Sequence, residues 1–374
     1  MSGSTVPDPT EKKSDPGIGK AVFRDLRNAD LFGTLEREFR ELYRFYLDPE
    51  TRDRLEKMGR IPRAFWLLGW LSKSLLLKLS PARRILLLLA TVMSIMGWTH
   101  MTVMGYSISY DLRPWGCLLL LFILMLELKD KLLAKDEIQF ARKVQLALMP
   151  ERQPTIDCWS VWSTSVPAND VGGDLVDYID LPSERLGIAL GDVAGKGLGA
   201  ALLSAKLQAS LRAIGPESTS LDELGTRMNT ILNQDGLDNR YATLFYAEVS
   251  PGSGHIRYLN AGHNPPFVVR GSDRVEDLPA SSFPLGMLPI ATYEEGVLDM
   301  EPGELLLIYS DGLSEATNSK GEEFSPQRIR NMMPELRNKT VPEAGEFLLS
   351  EVRQFLEKER PHDDLSIVLI RREN

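Results

Sequence analysis

Cysteine is almost missing from this chain: 374 residues contain only Cys117 and Cys158. Two cysteines make neither a disulfide framework nor a cysteine-rich zinc site, and a reducing compartment fits best. A basic excess is lacking too. With a formal net charge of −9, there is no basic domain or stripe to make the chain a general nucleic-acid binder, so acidic clusters are better read as cation sites. The first residues, MSGSTVPDPTEKKSDPGIGK, lack the apolar core of a secretory signal, and 1–28 read as a disordered tail. No internal repeat is visible. The length allows two units.

Residues 29–80 read as helical. Leu35, Phe39, Leu42, Tyr43 and Tyr46 recur at helical spacing, and FWLLGWLSKSLLLKLS from Phe65 mixes Trp, Leu and Lys as an interfacial amphipathic helix does. Charge then disappears. Ile85 to Tyr106 contains no Asp, Glu, Lys or Arg, and about 20 apolar residues cross a bilayer. A second apolar run covers Trp115 to Leu128, so 81–128 is expected to form a transmembrane helical hairpin in contact with membrane lipid. Lys73, Lys78, Arg83 and Arg84 precede it and Lys129, Lys131 and Lys135 follow it, which puts both ends in the cytoplasm and the protein in the cytoplasmic (inner) membrane.

Residues 129–150 read as one linker helix, ended by Pro150 and Pro154. Leu133, Phe140, Val144 and Ala147 form an apolar row. Its flanks make it wider than a strict coiled-coil seam, so docking on the next domain and pairing in a homodimer are both open. From 151 to 374 the texture is mixed. Strands are expected at 186–193, 241–249, 255–260, 304–310 and 364–371, and helices at 198–213, 221–234 and 341–357. They do not alternate as regular βαβ units, so the fold class is α+β, a two-sheet antiparallel β-sandwich flanked by helices.

Four segments set carboxylates in turns beside apolar strands: VGGDLVDY with Asp174 and Asp177, IALGDVAGKG with Asp192, LLIYSDGLSEA with Asp311, and HDDLSIVLI with Asp363 and Asp364. One Asp-Gly pair is ordinary turn chemistry. Four together suggest an oxygen-only shell for a hard divalent cation, each strand fixing the backbone that aims a short carboxylate. The Gly191–Gly195 spacing in GDVAGKGLG is one short of a nucleotide-binding Walker loop, and Gly197 replaces its Ser or Thr.

The ordered set PANDVGGDLVDY, GDVAGKGLGAAL, YATLFYAEV, LNAGHNPP, FPLGM, LLLIYSDGLSEATN and HDDLSIVLI resembles the bacterial PPM-type (protein phosphatase 2C-like) serine/threonine phosphatases of the SpoIIE and RsbU kind, over about Gln145 to Arg371. The resemblance implies a sandwich with two divalent cations, manganese or magnesium, at one end. Asp192 would bridge them and the carbonyl of Val193 would contribute an oxygen. Asp174 would serve one ion and Asp311 and Asp363 the other, with Asp364 the alternative to Asp363. Asp177 is either a ligand or a partner of one. Two such ions activate a water for in-line attack on phosphorus, so no nucleophilic cysteine is needed, and neither cysteine lies in a Cys-x5-Arg loop.

The match has departures. Ala194 stands where eukaryotic relatives carry a His, so His362 or His263 is left as proton donor. The eukaryotic phosphate-binding Arg has no counterpart, leaving Lys196 to steer phosphate. Val176 replaces a frequently aromatic position. The resemblance further implies a phosphorylated STAS-type anti-sigma-factor antagonist as the substrate protein. A membrane-anchored pseudophosphatase or sensor scaffold is the rival reading, and retention of Asp174, Asp192, Asp311 and Asp363 argues against it.

Overall fold

Along the strand Leu305–Tyr309, Leu306 and Ile308 face one way and Leu305, Leu307 and Tyr309 the other, and every one is buried. A strand buried on both faces lies in the middle of a layered structure, because successive side chains point to opposite sides. In this computed structural model the described residues are 76–103, 106–150, 152–234, 240–280, 282–357 and 361–373, together with 66, 69, 70, 73 and 359. The expected tail and the helices at 31–60 lie outside them. The chain divides into two units, Met1–Asp130 and Lys131–Asn374.

In the first unit, α1 (Pro81–Met96) is capped by Ser80, whose hydroxyl accepts from the Arg83 amide. A hairpin of β1 (Trp98–Val103) and β2 (Tyr106–Asp111) follows, then α2 (Arg113–Leu148), which continues into the second unit. Arg83 of α1 pairs with Glu127 and Asp130 of α2.

The transmembrane hairpin expected over 81–128 is not what forms. Among the described residues no helix is long and apolar enough to cross a membrane. The first run breaks at Gly97, whose φ of 66° suits a residue without Cβ and ends the helix. Beyond it, β-branched and aromatic residues such as Thr99, Thr102, Val103, Ile108 and Tyr110 favour strand pairing. Sixteen residues of α1 reach about 24 Å at 1.5 Å each, short of a hydrocarbon core about 30 Å thick. The second run is the start of a 36-residue helix whose apolar stretch is cut by Glu127, Lys129, Asp130 and Lys131. Among the described residues the membrane-associated character expected for the N-terminal region is left without a span.

The second unit is the expected α+β sandwich. One sheet runs in the order β10 (Glu295–Asp299), β7 (His255–Ala261), β6 (Ala242–Val249), β5 (Leu186–Val193), β4 (Leu175–Asp180), all antiparallel. The other runs β3 (Trp159–Val166), β12 (Leu365–Arg372), β11 (Leu305–Tyr309), β8 (Phe267–Val269), β9 (Val275–Asp277), also antiparallel. Between them lies a core that includes Val161, Ile188, Leu190, Phe245, Ile308, Val368 and Ile370.

Helices α3 (Leu198–Ile214) and α4 (Leu221–Asn233) cover the outer face of the first sheet through Leu207, Leu211, Leu224 and Met228. The second is covered by α6 (Pro326–Arg337) and α7 (Val341–Leu356), through Ile329, Met333, Leu348 and Val352, while the single turn α5 (Asp311–Ser314) follows β11. The α7 start carries a capping box between Thr340 and Glu343.

Candidate metal and phosphate site

Antiparallel register brings the expected residues to one end of the sandwich. Leu175 pairs with Gly191, so Asp174, just before β4, lies across from Asp192 near the end of β5. Tyr309 pairs with Ile367, so Asp311, just after β11, and Asp363 and Asp364, just before β12, meet at the matching end of the other sheet. Ser310 ties these two strands: its hydroxyl donates to the Asp364 carbonyl at 3.0 Å and accepts from the Ser366 amide at 2.9 Å. At Gly312 a Cβ would collide with the Asp364 carbonyl, so only glycine allows this approach.

The carboxylates crowd one another. Asp174 is 3 % exposed and its Oδ2 has no hydrogen-bond partner. Burial, then the neighbouring charge of Asp192, pushes its pKa well above the usual carboxylate range. Asp192 is shifted up by its own burial and by Asp363. Asp311 is pushed up to about 7 by burial and by the charges of Asp192 and Asp363. Side chains that resist ionising together are suited to a cation, which removes the penalty. Beside them Gly173 is bare where a Cβ would sit 3.1 Å from the Val193 carbonyl oxygen and 3.8 Å from Asp192 Oδ1. Among the described residues no group of three or more His, Cys, Asp or Glu side chains is gathered to ligand distance. The donor chemistry and the unpartnered Asp174 oxygen nevertheless fit a divalent ion.

The adjacent aspartates separate clearly. Asp364 is buried, its Oδ1 accepts from the Ala168 amide at 2.8 Å, and its Oδ2 accepts from the amides of Gly173 and Asp174. It organises the loop that carries Asp174. Asp363 is half-exposed and pairs with Lys196 at 2.8 Å, and the same ammonium donates to the His362 carbonyl. Asp177 is fully buried, with both oxygens taken by Arg212 at 2.6 Å.

Lys196, Asp363 and the exposed His362 share a cavity of about 190 Å³ with Gly312 and Glu315. His263 is elsewhere in character: it is 3 % exposed, its Nδ1 is 2.9 Å from the Thr243 hydroxyl, and burial lowers its pKa to about 4.

Two residues here carry no sequence motif of their own. Gln145 on α2 donates to the Gly172 carbonyl at 2.7 Å and accepts from its amide at 3.1 Å, gripping the loop before Asp174. Arg240 donates to the Ala194 carbonyl and lies against Gly195 and Gly199. The signals for them are indirect: Gln145 falls among the apolar positions of its helix, and Gly195 has a φ of 113°.

The fold is that of a PP2C domain. The chain is similar to the SiaA-PP2C domain of Pseudomonas aeruginosa, with a TM-score of 0.54 and 21% identity over 65% of this chain and 98% of that one. It is also similar to the PP2C phosphatase domain and regulatory fragment of SpoIIE from Bacillus subtilis, with a TM-score of 0.51 and 24% identity over 58% and 64% of the two chains. Residues 182–373, just over half of the chain, match the model of the Stage II sporulation protein E (SpoIIE) family, and the chain belongs to that family.

Relatives include Protein IcfG of Synechocystis sp., 28% identical over 220 residues, or 52% of this chain. Phosphoserine phosphatase RsbU of Bacillus subtilis is 25% identical over 239 residues, covering 64% of this chain and 70% of the relative. The chain spans only 35% of the length of Protein IcfG.

Proposed function

We propose that this chain is a protein serine/threonine phosphatase that hydrolyses phosphoserine or phosphothreonine with two divalent cations, manganese or magnesium. One observation carries the reading: Asp174, Asp192, Asp311 and Asp363 come from four separate segments to one end of the sandwich, and a buried oxygen of Asp174 lacks any partner. Similarity to a protein named as a phosphoserine phosphatase supports it.

In this reading Asp174, Asp192, Asp311 and Asp363 hold the cations with the Val193 carbonyl. When bound, such a pair lowers the pKa of water and neutralises phosphate charge. Asp364 holds the 168–174 loop in place and Asp177 fixes α3 to β4 through Arg212, so neither is a ligand. Lys196 sits at the mouth of the site and orients the phosphate. His362 is the proton donor for the leaving oxygen, because it shares the Lys196 cavity, whereas the buried, neutral His263 has no proton to give at pH 7.

The family resemblance extends the proposal to a phosphorylated STAS-type anti-sigma-factor antagonist as substrate. On the exposed apolar row of Leu133, Phe140 and Val144 of α2, the proposal extends also to a second copy of this chain. Sedimentation as a monomer at micromolar concentration would remove the second copy.

The test is manganese-dependent hydrolysis of p-nitrophenyl phosphate and of a panel of phosphorylated STAS proteins by the full chain. Activity should require added metal and vanish in Asp192→Ala. Equal turnover in a chelator would overturn the two-cation reading.

A further inference from the structure

The Lys196 cavity does not end at the reacting groups. Through Glu315 and Glu323 it adjoins a second, larger cavity of about 450 Å³, whose lining includes Phe267, Tyr309, Pro265 and Pro326. That volume is in the range of sites that hold ligands, and an apolar lining with a few polar groups at the rim is the usual composition of one. Phe267 and Tyr309 are stacked with ring centroids 5.5 Å apart and are nearly fully buried, so this wall is rigid. The cavity is the feature that calls for an occupant, and the rim sets the occupant's charge.

The rim is acidic. Asp277 also lines the cavity, and Arg330 already takes both of its oxygens at 2.7 Å while its guanidinium lies 5.7 Å from the Phe267 ring centroid. The protein thus fills one edge of this aromatic and acidic wall with an arginine of its own. Glu315 and Glu323 are exposed and have no ion-pair partner among the described residues. Among the described residues lining the junction the cation is Lys196, which is held by Asp363. A side chain with an apolar stem and a cationic head matches such a cavity: the stem lies along the exposed Pro265 and Pro326, above the rigid floor of Phe267 and Tyr309, while the head meets Glu315 and Glu323.

We propose that this cavity is a substrate subsite that takes an arginine or lysine side chain of the phosphoprotein, carried on the same segment as the phosphorylated residue. The inference rests on the phosphatase reading and assigns its specificity. An acidic or phosphate-rich flank is disfavoured here by like charge, so the enzyme discriminates between phosphorylated proteins by what surrounds the phosphate.

The experiment compares two phosphoserine peptides of identical length, one with arginines flanking the phosphoserine and one with glutamates, using the full chain and manganese. Wild type turns over the arginine peptide with the higher kcat/KM, and raising salt narrows the gap. Glu323→Gln lowers kcat/KM for the arginine peptide about fivefold, the scale of one solvent-reached ion pair, chiefly through KM. Glu323→Lys reverses the preference. Thermal melts at the wild-type midpoint show that the variants fold, and because Glu323 also lines the Lys196 cavity, the readout is the ratio of kcat/KM between the two peptides within each variant, from which any common effect on the reacting groups cancels.

Equal kcat/KM for the two peptides, or a preference unchanged in Glu323→Lys, overturns the subsite. Loss of turnover on every substrate, p-nitrophenyl phosphate included, overturns the phosphatase reading instead. The subsite is then judged by fluorescence anisotropy of the labelled arginine and glutamate peptides, where equal binding overturns it.

Discussion

The Lys196 ammonium lies 2.8 Å from the Asp363 carboxylate, joining the loop after β5 of one sheet to the turn before β12 of the other. Each of these segments follows or precedes a strand buried in the core, so the pair spans two rigid frames. Its neighbour Asp364 faces the opposite way, into backbone amides of 168–174. Adjacent aspartates therefore have separable jobs.

Exchange of each aspartate should separate them. Asp363→Asn is expected to remove metal-dependent hydrolysis while leaving the melting temperature near wild type, because the residue is half-exposed and its ion pair is solvent-reached. Asp364→Ala leaves buried amides without an acceptor and should cost about 3 kcal/mol, since hydrogen bonds to charged groups are worth roughly 1.5–3 kcal/mol each and some are regained from water. Thermal melts and manganese titrations on both variants check this; the reverse pattern would exchange their roles.

The crowding of carboxylates has a sign in pH. Burial and the charges of Asp192 and Asp363 raise Asp311 in the folded chain to about 7, from the roughly 3.9 of a free aspartate. In the metal-free protein its contribution to stability is fully present below pH 4 and is lost as pH rises through 7. Asp311→Asn cannot ionise, so at pH 8 it should exceed metal-free wild type by on the order of 2–4 kcal/mol, a gap that closes below pH 4. Comparing the two proteins cancels the opposite trend of His263, whose lowered pKa removes stability as pH falls from 6.5 toward 4. Denaturant melts from pH 4 to 8 test it, and a gap independent of pH would refute it.

The Asp177–Arg212 pair is a matter of stability. Arg212→Ala strands a fully buried carboxylate. The expected loss is about 2–3 kcal/mol, below the roughly 3–5 kcal/mol of a wholly buried pair because the arginine is half-exposed. Manganese affinity should be unchanged in urea-free buffer, measured by calorimetry. A large loss of affinity with no loss of stability would return Asp177 to the ligands.

Much of the sandwich is readable where strands are buried on both faces. LGIALGDV and LLLIY stand out as apolar runs, and they occupy Leu186–Val193 and Leu305–Tyr309. Trp159–Val166 is harder to see because four of its eight residues are Ser or Thr, and Pro326–Arg337 because Pro334 lies inside the helix. Ile85–Tyr106 misleads for a related reason: absence of charge is shared by a bilayer span and by a short helix followed by a β-hairpin, and only Gly97 marks the difference. At the site, the aspartates are legible because each sits in a turn. What the Asp364 carboxylate touches is not, since its partners are 190 to 196 residues away in the chain.

The first strand of the second unit pairs with the last, Trp159 opposite Arg372, and the Glu373 amide closes on the Cys158 carbonyl at 2.9 Å. Topologically the sandwich is a closed circuit. A short linker can join those neighbouring ends and the chain can be opened instead at the Gly252 turn, far from the aspartates along β6, with every ladder preserved. The same closure means that strain applied at Trp159 is shared at once with Arg372, so the first and last strands of the sandwich open together or not at all.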